Sequence, residues 1–171
     1  MINKIYVLLL ILTISLTSCS SSDNVDVNEF IDRYNSVSET SILKENITVT
    51  EMNQNTLHHI LINKNIIVTL KTDSNCEINE CSITSSDRNN IMIFDNVCTY
   101  SLISLTGCTE LNADKAINEA FDTSNTFGDY EIYNHSDNIQ MTVIIRQLTD
   151  NYNLNPTLKE YIKYSTDNIN D

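Results

Sequence analysis

Glycine and proline are nearly missing from this 171-residue chain, which has two glycines, Gly107 and Gly128, and one proline, Pro156. Two isolated glycines cannot build the glycine-rich loop that cradles a phosphate, so P-loop and dinucleotide fingerprints are excluded. Positive charge is the second shortage. Ten Lys and Arg stand against 23 Asp and Glu, a formal net charge of −13. Nucleic acid needs cationic side chains to neutralise its phosphates, so this balance excludes it as a partner. The same balance disfavours electrostatic adsorption to anionic lipid and leaves a basic partner as the matched one. Catalytic signatures are the third absence. No H-E-x-x-H or G-x-S-x-G pattern occurs, and no nucleophile has a base nearby in sequence. The expectation is a chain that is not an enzyme and needs no cofactor.

Long apolar runs are also scarce, with one informative exception. Residues 5–16 are apolar apart from Thr13 and Ser15, and Lys4 precedes them. A membrane-spanning helix needs about 20 apolar residues, so this run is too short to span and has the length of a secretory signal core. It closes on Leu16-Thr17-Ser18-Cys19. An aliphatic residue, two small residues and a cysteine in that position resemble the lipobox of bacterial lipoproteins. The resemblance covers residues 1–19 only. It implies cleavage before Cys19, a diacylglyceryl (palmitate-type) lipid on its sulfur, and anchoring to the outer side of the cell membrane, or to an outer membrane in a Gram-negative host. One acyl chain holds a protein marginally and two hold it firmly, each buried CH₂ contributing about 0.8 kcal/mol.

The expected organisation follows: signal peptide 1–18, lipidated Cys19 with a tether over 19–25, one domain over 26–165, and a frayed tail over 166–171. Cleavage leaves 153 residues, enough for one domain with a real core. It removes Lys4 and no acid, so the side-chain charge becomes −14.

Four cysteines remain, Cys76, Cys81, Cys98 and Cys108. An even count in an exported domain makes all four disulfide candidates, with three possible pairings. If residues 91–106 form a helix, Cys98 and Cys108 lie about 15 Å apart along it, too far to bridge. Closure of Cys76–Cys81 across a tight turn, or cross-links from those two to the helix ends, stay open. The C-x₄-C and C-x₉-C spacings are not those of a zinc site, and no metal is expected. His58 and His59 are adjacent on an expected strand, so one faces the core and the other is exposed, and they cannot share a metal. His135 falls in a turn. Asp87 with Asp95, and Glu77 with Glu80, are conceivable acid pairs at spacings that diagnose nothing.

Periodicity places the elements. Val27, Phe30, Ile31, Tyr34 and Val37 form a helical stripe behind an Asp26 cap. Ile47 and Val49 alternate with polar residues, and 57–62 and 66–70 read as a hairpin. A strand over 77–84 puts both Ile78 and Ile83 inside only if a bulge intervenes. Residues 91–106 carry strand-type residues at helical spacing, and their length and Gly107 favour helix. Ala113, Ala116, Ile117, Ala120 and Phe121 mark another helix capped by Asn112. The stretches 129–133 and 139–148 form a hairpin, and Asn155-Pro156 opens a C-terminal helix. The expected class is α+β: an antiparallel sheet with helices packed on one face, bracketed by N-terminal and C-terminal helices. The expected function is a small lipid-anchored binding or interaction module of the cell envelope, with an envelope protein or a basic molecule as partner. The alternative is a small envelope enzyme with a cleft of converging carboxylates or histidines.

Overall fold

The computed structural model describes residues 24–148, apart from 123 and 138. The signal segment, Cys19, the tether ahead of Asn24 and the expected C-terminal helix lie outside the described residues.

The fold is α+β; the described residues form seven strands in one antiparallel sheet and three α-helices. Helix α1 (Val27–Val37) is followed by β1 (Ile47–Met52), β2 (Asn55–Asn63), β3 (Ile66–Thr72) and β4 (Ile78–Ser85). Helices α2 (Ile91–Thr106) and α3 (Glu110–Asp122) come next, then β5 (Asn125–Phe127), β6 (Tyr130–Asn134) and β7 (Met141–Gln147). The spatial order is β1-β2-β3-β4-β7-β6-β5, so β7 returns to pair with β4 at the centre. Alternate strand residues Ile60, Val68, Leu70, Ile83, Val143 and Ile145 point into one core with Phe30, Tyr34, Phe94, Leu102 and Ile117 of the helices. Among the described residues no helix lies against the opposite face, and Leu61 and Ile67 there are 46% and 42% exposed. An antiparallel sheet tolerates this arrangement because one solvated face is compatible with alternating polarity.

Local chemistry sets the boundaries. Asp26 caps α1, its carboxylate accepting the Glu29 N–H at 2.9 Å. Gly107 closes α2 in the left-handed region at φ 67, donating to the Ile103 carbonyl at 2.7 Å, a conformation in which a β-carbon is strained. Helix α2 lies between α1 and α3 over the sheet, and residues 97–105 are almost all buried whichever way they point. A helix surrounded on all sides loses its amphipathic stripe, which is why its sequence is ambiguous. The parity problem in β4 is resolved by a register shift. Lys71 pairs with Glu80 but Thr72 pairs with Ile78, so Asn79 is the extra residue and both Ile78 and Ile83 are buried.

Two boundaries and one strand differ from expectation. Helix α3 begins at Glu110, so Asn112 sits in its first turn, where its N–H bonds the Thr109 carbonyl, and it is not the cap. The last hairpin turn is held by Asp137, whose carboxylate accepts from the Ile139 and Gln140 N–H groups. Ile139 therefore belongs to the turn, 80% exposed, and β7 starts at Met141. Strand β5 is only three residues long and has no readable period.

Candidate interaction surfaces

The open face of the sheet is the broadest feature the fold presents. Register aligns Thr48, His59, Thr69, Ser82, Ile144 and Tyr133 in one row across six strands. The His59 ring nitrogen Nδ1 lies 3.1 Å from the Thr69 hydroxyl, a hydrogen bond within that row. The neighbouring row runs Thr50, Leu57, Lys71, Glu80, Arg146 and Glu131. Here the Arg146 guanidinium donates to Glu80 at 2.8 Å and to the Tyr133 hydroxyl at 2.8 Å, and its carbon sits 5.5 Å from the Tyr133 ring centre. Arg146 and Glu80 are both mostly shielded. The group clasps β4, β7 and β6 together and commits the cation internally. Sequence reading passed over it because only strand order brings residues 80, 133 and 146 side by side.

The histidines part as their adjacency requires. His59 faces the open side and His58 the helix side, opposite Leu70. Both are half-buried, which corrects the expectation of one core and one exposed ring. Ile60 and Ile62 on the same face of β2 are buried, so His58 lies at the less covered end of that strand. Burial, then the neighbouring His59, lowers the His58 pKa below the usual histidine value. Among the described residues no group of three His, Cys, Asp or Glu is placed to hold a metal. His135 stands exposed just after β6.

Among the described residues, Cys76, Cys81 and Cys98 are not joined to one another by a disulfide. Cys81 on β4 and Cys98 on α2 are fully buried in the core between sheet and helix, close enough to interact electrostatically. Burial raises both thiols well above their ordinary pKa, and Ser101 partly offsets this at Cys81. Neutral thiols in an apolar setting are poor nucleophiles. Cys76 sits exposed in the β3–β4 turn at φ 67, and Cys108 is half-buried after α2. The tight-turn closure of Cys76–Cys81 is not what the fold builds. Cys81 lies inside β4, and the strand from Ile78 to Cys81 alone extends about 10 Å, beyond disulfide reach. Cys98 is in the middle of α2 and Cys108 beyond its end, so those two stay apart as helical geometry requires.

The acid pairs are not assembled either. Asp87 knits the β4–α2 connection, accepting from the Asn89 N–H and from the Asn65 and Asn90 amides. Asp95 lies on α2, and burial followed by the Asp114 carboxylate raises its pKa. One Asp95 oxygen is buried with no hydrogen-bond partner among the described residues. Glu77 accepts from the Asn24 amide at 2.7 Å, while Glu80 belongs to the Arg146 clasp. An open depression of about 640 Å³ adjoins the β1–β2 turn, lined by Met52, Asn53, Gln54, Asn55, Leu57 and Lys71, with no acid among them.

Charge is distributed unevenly over this frame. Residues 44–71, which carry β1, β2 and most of β3, hold Lys44, Lys64 and Lys71 against Glu45 and Glu51, a net +1. Residues 24–43 and 72–148 hold sixteen acids against Arg33, Arg88, Lys115 and Arg146, a net −12. The helices and the β4–β7 half are therefore the acidic surface, and the β1–β3 wing is nearly neutral. Compared with family models, curated proteins and solved structures, the chain matches none.

Proposed function

We propose that this chain is a lipid-anchored module of the bacterial cell envelope that binds a partner rather than catalysing a reaction. The observation that carries the reading is Leu16-Thr17-Ser18-Cys19 at the end of a 12-residue apolar run. The start of the described chain supports it. The Asn24 side chain joins Glu77 at the start of β4 to Gln147 at the end of β7, so the polypeptide enters at one end of the sheet. Val25 continues this attachment through its carbonyl, which accepts the Ile78 N–H at 3.0 Å. From Cys19 to Asn24 the chain reaches at most about 17 Å. A lipid on Cys19 keeps the domain within one short tether of the bilayer. The helices and the β4–β7 half total −12, which repels anionic lipid, so the lipid on Cys19 supplies the attachment and a basic envelope protein or peptide is the matched partner.

Metabolic labelling with radioactive palmitate in a bacterial host tests the anchor. The wild-type chain takes label and sediments with membranes. Cys19→Ser takes none and loses its lipid-dependent membrane retention. An unlabelled wild-type chain, or equal lipid-dependent retention of both, overturns the reading.

A further inference from the structure

The geometry points to β1 as a self-pairing edge, through which a second copy of this chain joins the two sheets antiparallel about a two-fold axis. This goes beyond the anchoring proposal and stands whether or not Cys19 carries lipid.

An edge strand turns alternate backbone N–H and C=O groups away from its sheet, and another strand satisfies them in register. Proteins blunt such edges with prolines, charged side chains, bulges, shortness or a covering element. Among the described residues, β1 has one of these, the single charge of Glu51. It spans Ile47–Met52 without proline or lysine, and its pairing with β2 runs from Ile47↔Ile60 to Met52↔Asn55 with no register shift. Four consecutive β-branched residues, Ile47 to Thr50, favour extended backbone. Its apolar side chains stand open on both faces. Val49 shares the helix-side face with Ile47, Met52 lies on the other, and they are 55% and 54% exposed.

Charge selects the occupant. Two copies of this acidic chain repel across most of their surfaces, whereas residues 44–71 total +1 and β1 itself carries only Glu51. The neutral wing is where two copies approach at least cost, since repulsion between the acidic halves is screened beyond about 8 Å at physiological salt. A two-fold antiparallel pairing uses the same strand twice and needs no second complementary patch. It places each Val49 and Met52 against the partner strand.

Native mass spectrometry of the full chain, released from detergent over a concentration series, reads the outcome. The wild-type chain gives a doubled mass whose fraction rises with concentration. Val49→Lys and Thr50→Lys, which stand on opposite faces of β1, each return it to the single-chain mass with an unchanged circular dichroism spectrum. If one lysine unfolds the chain the other reports, and amide exchange of the unmutated chain needs no variant, because β1 protection rises with concentration. A single-chain mass for the wild type throughout, β1 exchange that ignores concentration, or a dimer that survives both folded lysine variants overturns the inference.

Discussion

At one margin of the sheet, β5 is three residues long and tied down by α3, with the Asn125 amide donating to the Ala116 carbonyl and to Glu119. At the other margin, β1 runs six residues, five of them exposed, with Val49 open on the face the helices cover elsewhere. The first margin sits in the acidic half of the molecule and the second in the nearly neutral wing. A short, helix-bound edge cannot template another strand, and a long bare one can. The difference teaches that sheet, helix layer and charge are offset from one another: among the described residues the helices and carboxylates are displaced towards β4–β7, leaving β1 as the open end of the sheet.

The largest test of that offset compares a covered strand with the bare one. Leu70 on β3 is fully buried in the common core, and Leu70→Ala is expected to cost about 3 kcal/mol in urea denaturation. Val49→Ala on β1, in dilute protein, is expected to stay within about 0.5 kcal/mol. Comparable losses would mean that β1 is covered as well as β3. The next effect concerns the clasp. Glu80→Gln removes the carboxylate from the mostly shielded Arg146 guanidinium and is expected to cost about 1.5 kcal/mol in the same assay. No loss would mean the open face is held by backbone pairing alone.

The smallest effect is a gain and lies in the acidic half. The Asp95 pKa is raised in the folded state by burial and then by Asp114, so folding disfavours its charged form. The folded chain binds more protons than the unfolded one as pH rises past the ordinary carboxylate value, and stability falls across that window. Asp95→Asn is therefore expected to raise the melting temperature at neutral pH, and the gain disappears when the pH falls below the unfolded carboxylate value. A gain that persists in acid would assign the effect to packing instead.

What could be read from the chain follows from how each element is buried. The α1 stripe and the alternation of Met141, Val143 and Ile145 were legible because each element has one covered face. The parity of Ile78 and Ile83 was legible as a bulge because both had to reach one core. Helix α2 was ambiguous because it is buried on nearly every side, and β5 was invisible because three residues carry no period. Of the candidate sites, the separation of His58 from His59 and of Cys98 from Cys108 follows from strand and helix geometry alone. The Cys76–Cys81 closure failed because Cys81 belongs to the strand rather than to the turn. The Arg146 clasp and the bare β1 edge depend on strand order, and local pattern does not encode that β7 returns to β4.

Hydrogen exchange of the unmutated full chain, followed strand by strand across a dilution series, tests the offset most directly. The account predicts that amides of β1 are protected in concentrated protein and lose that protection on dilution, while those of β5 and β7 exchange at rates independent of concentration. Exchange in β1 that ignores dilution, or β5 protection that follows it, would contradict the claim that β1 is the open edge of this sheet.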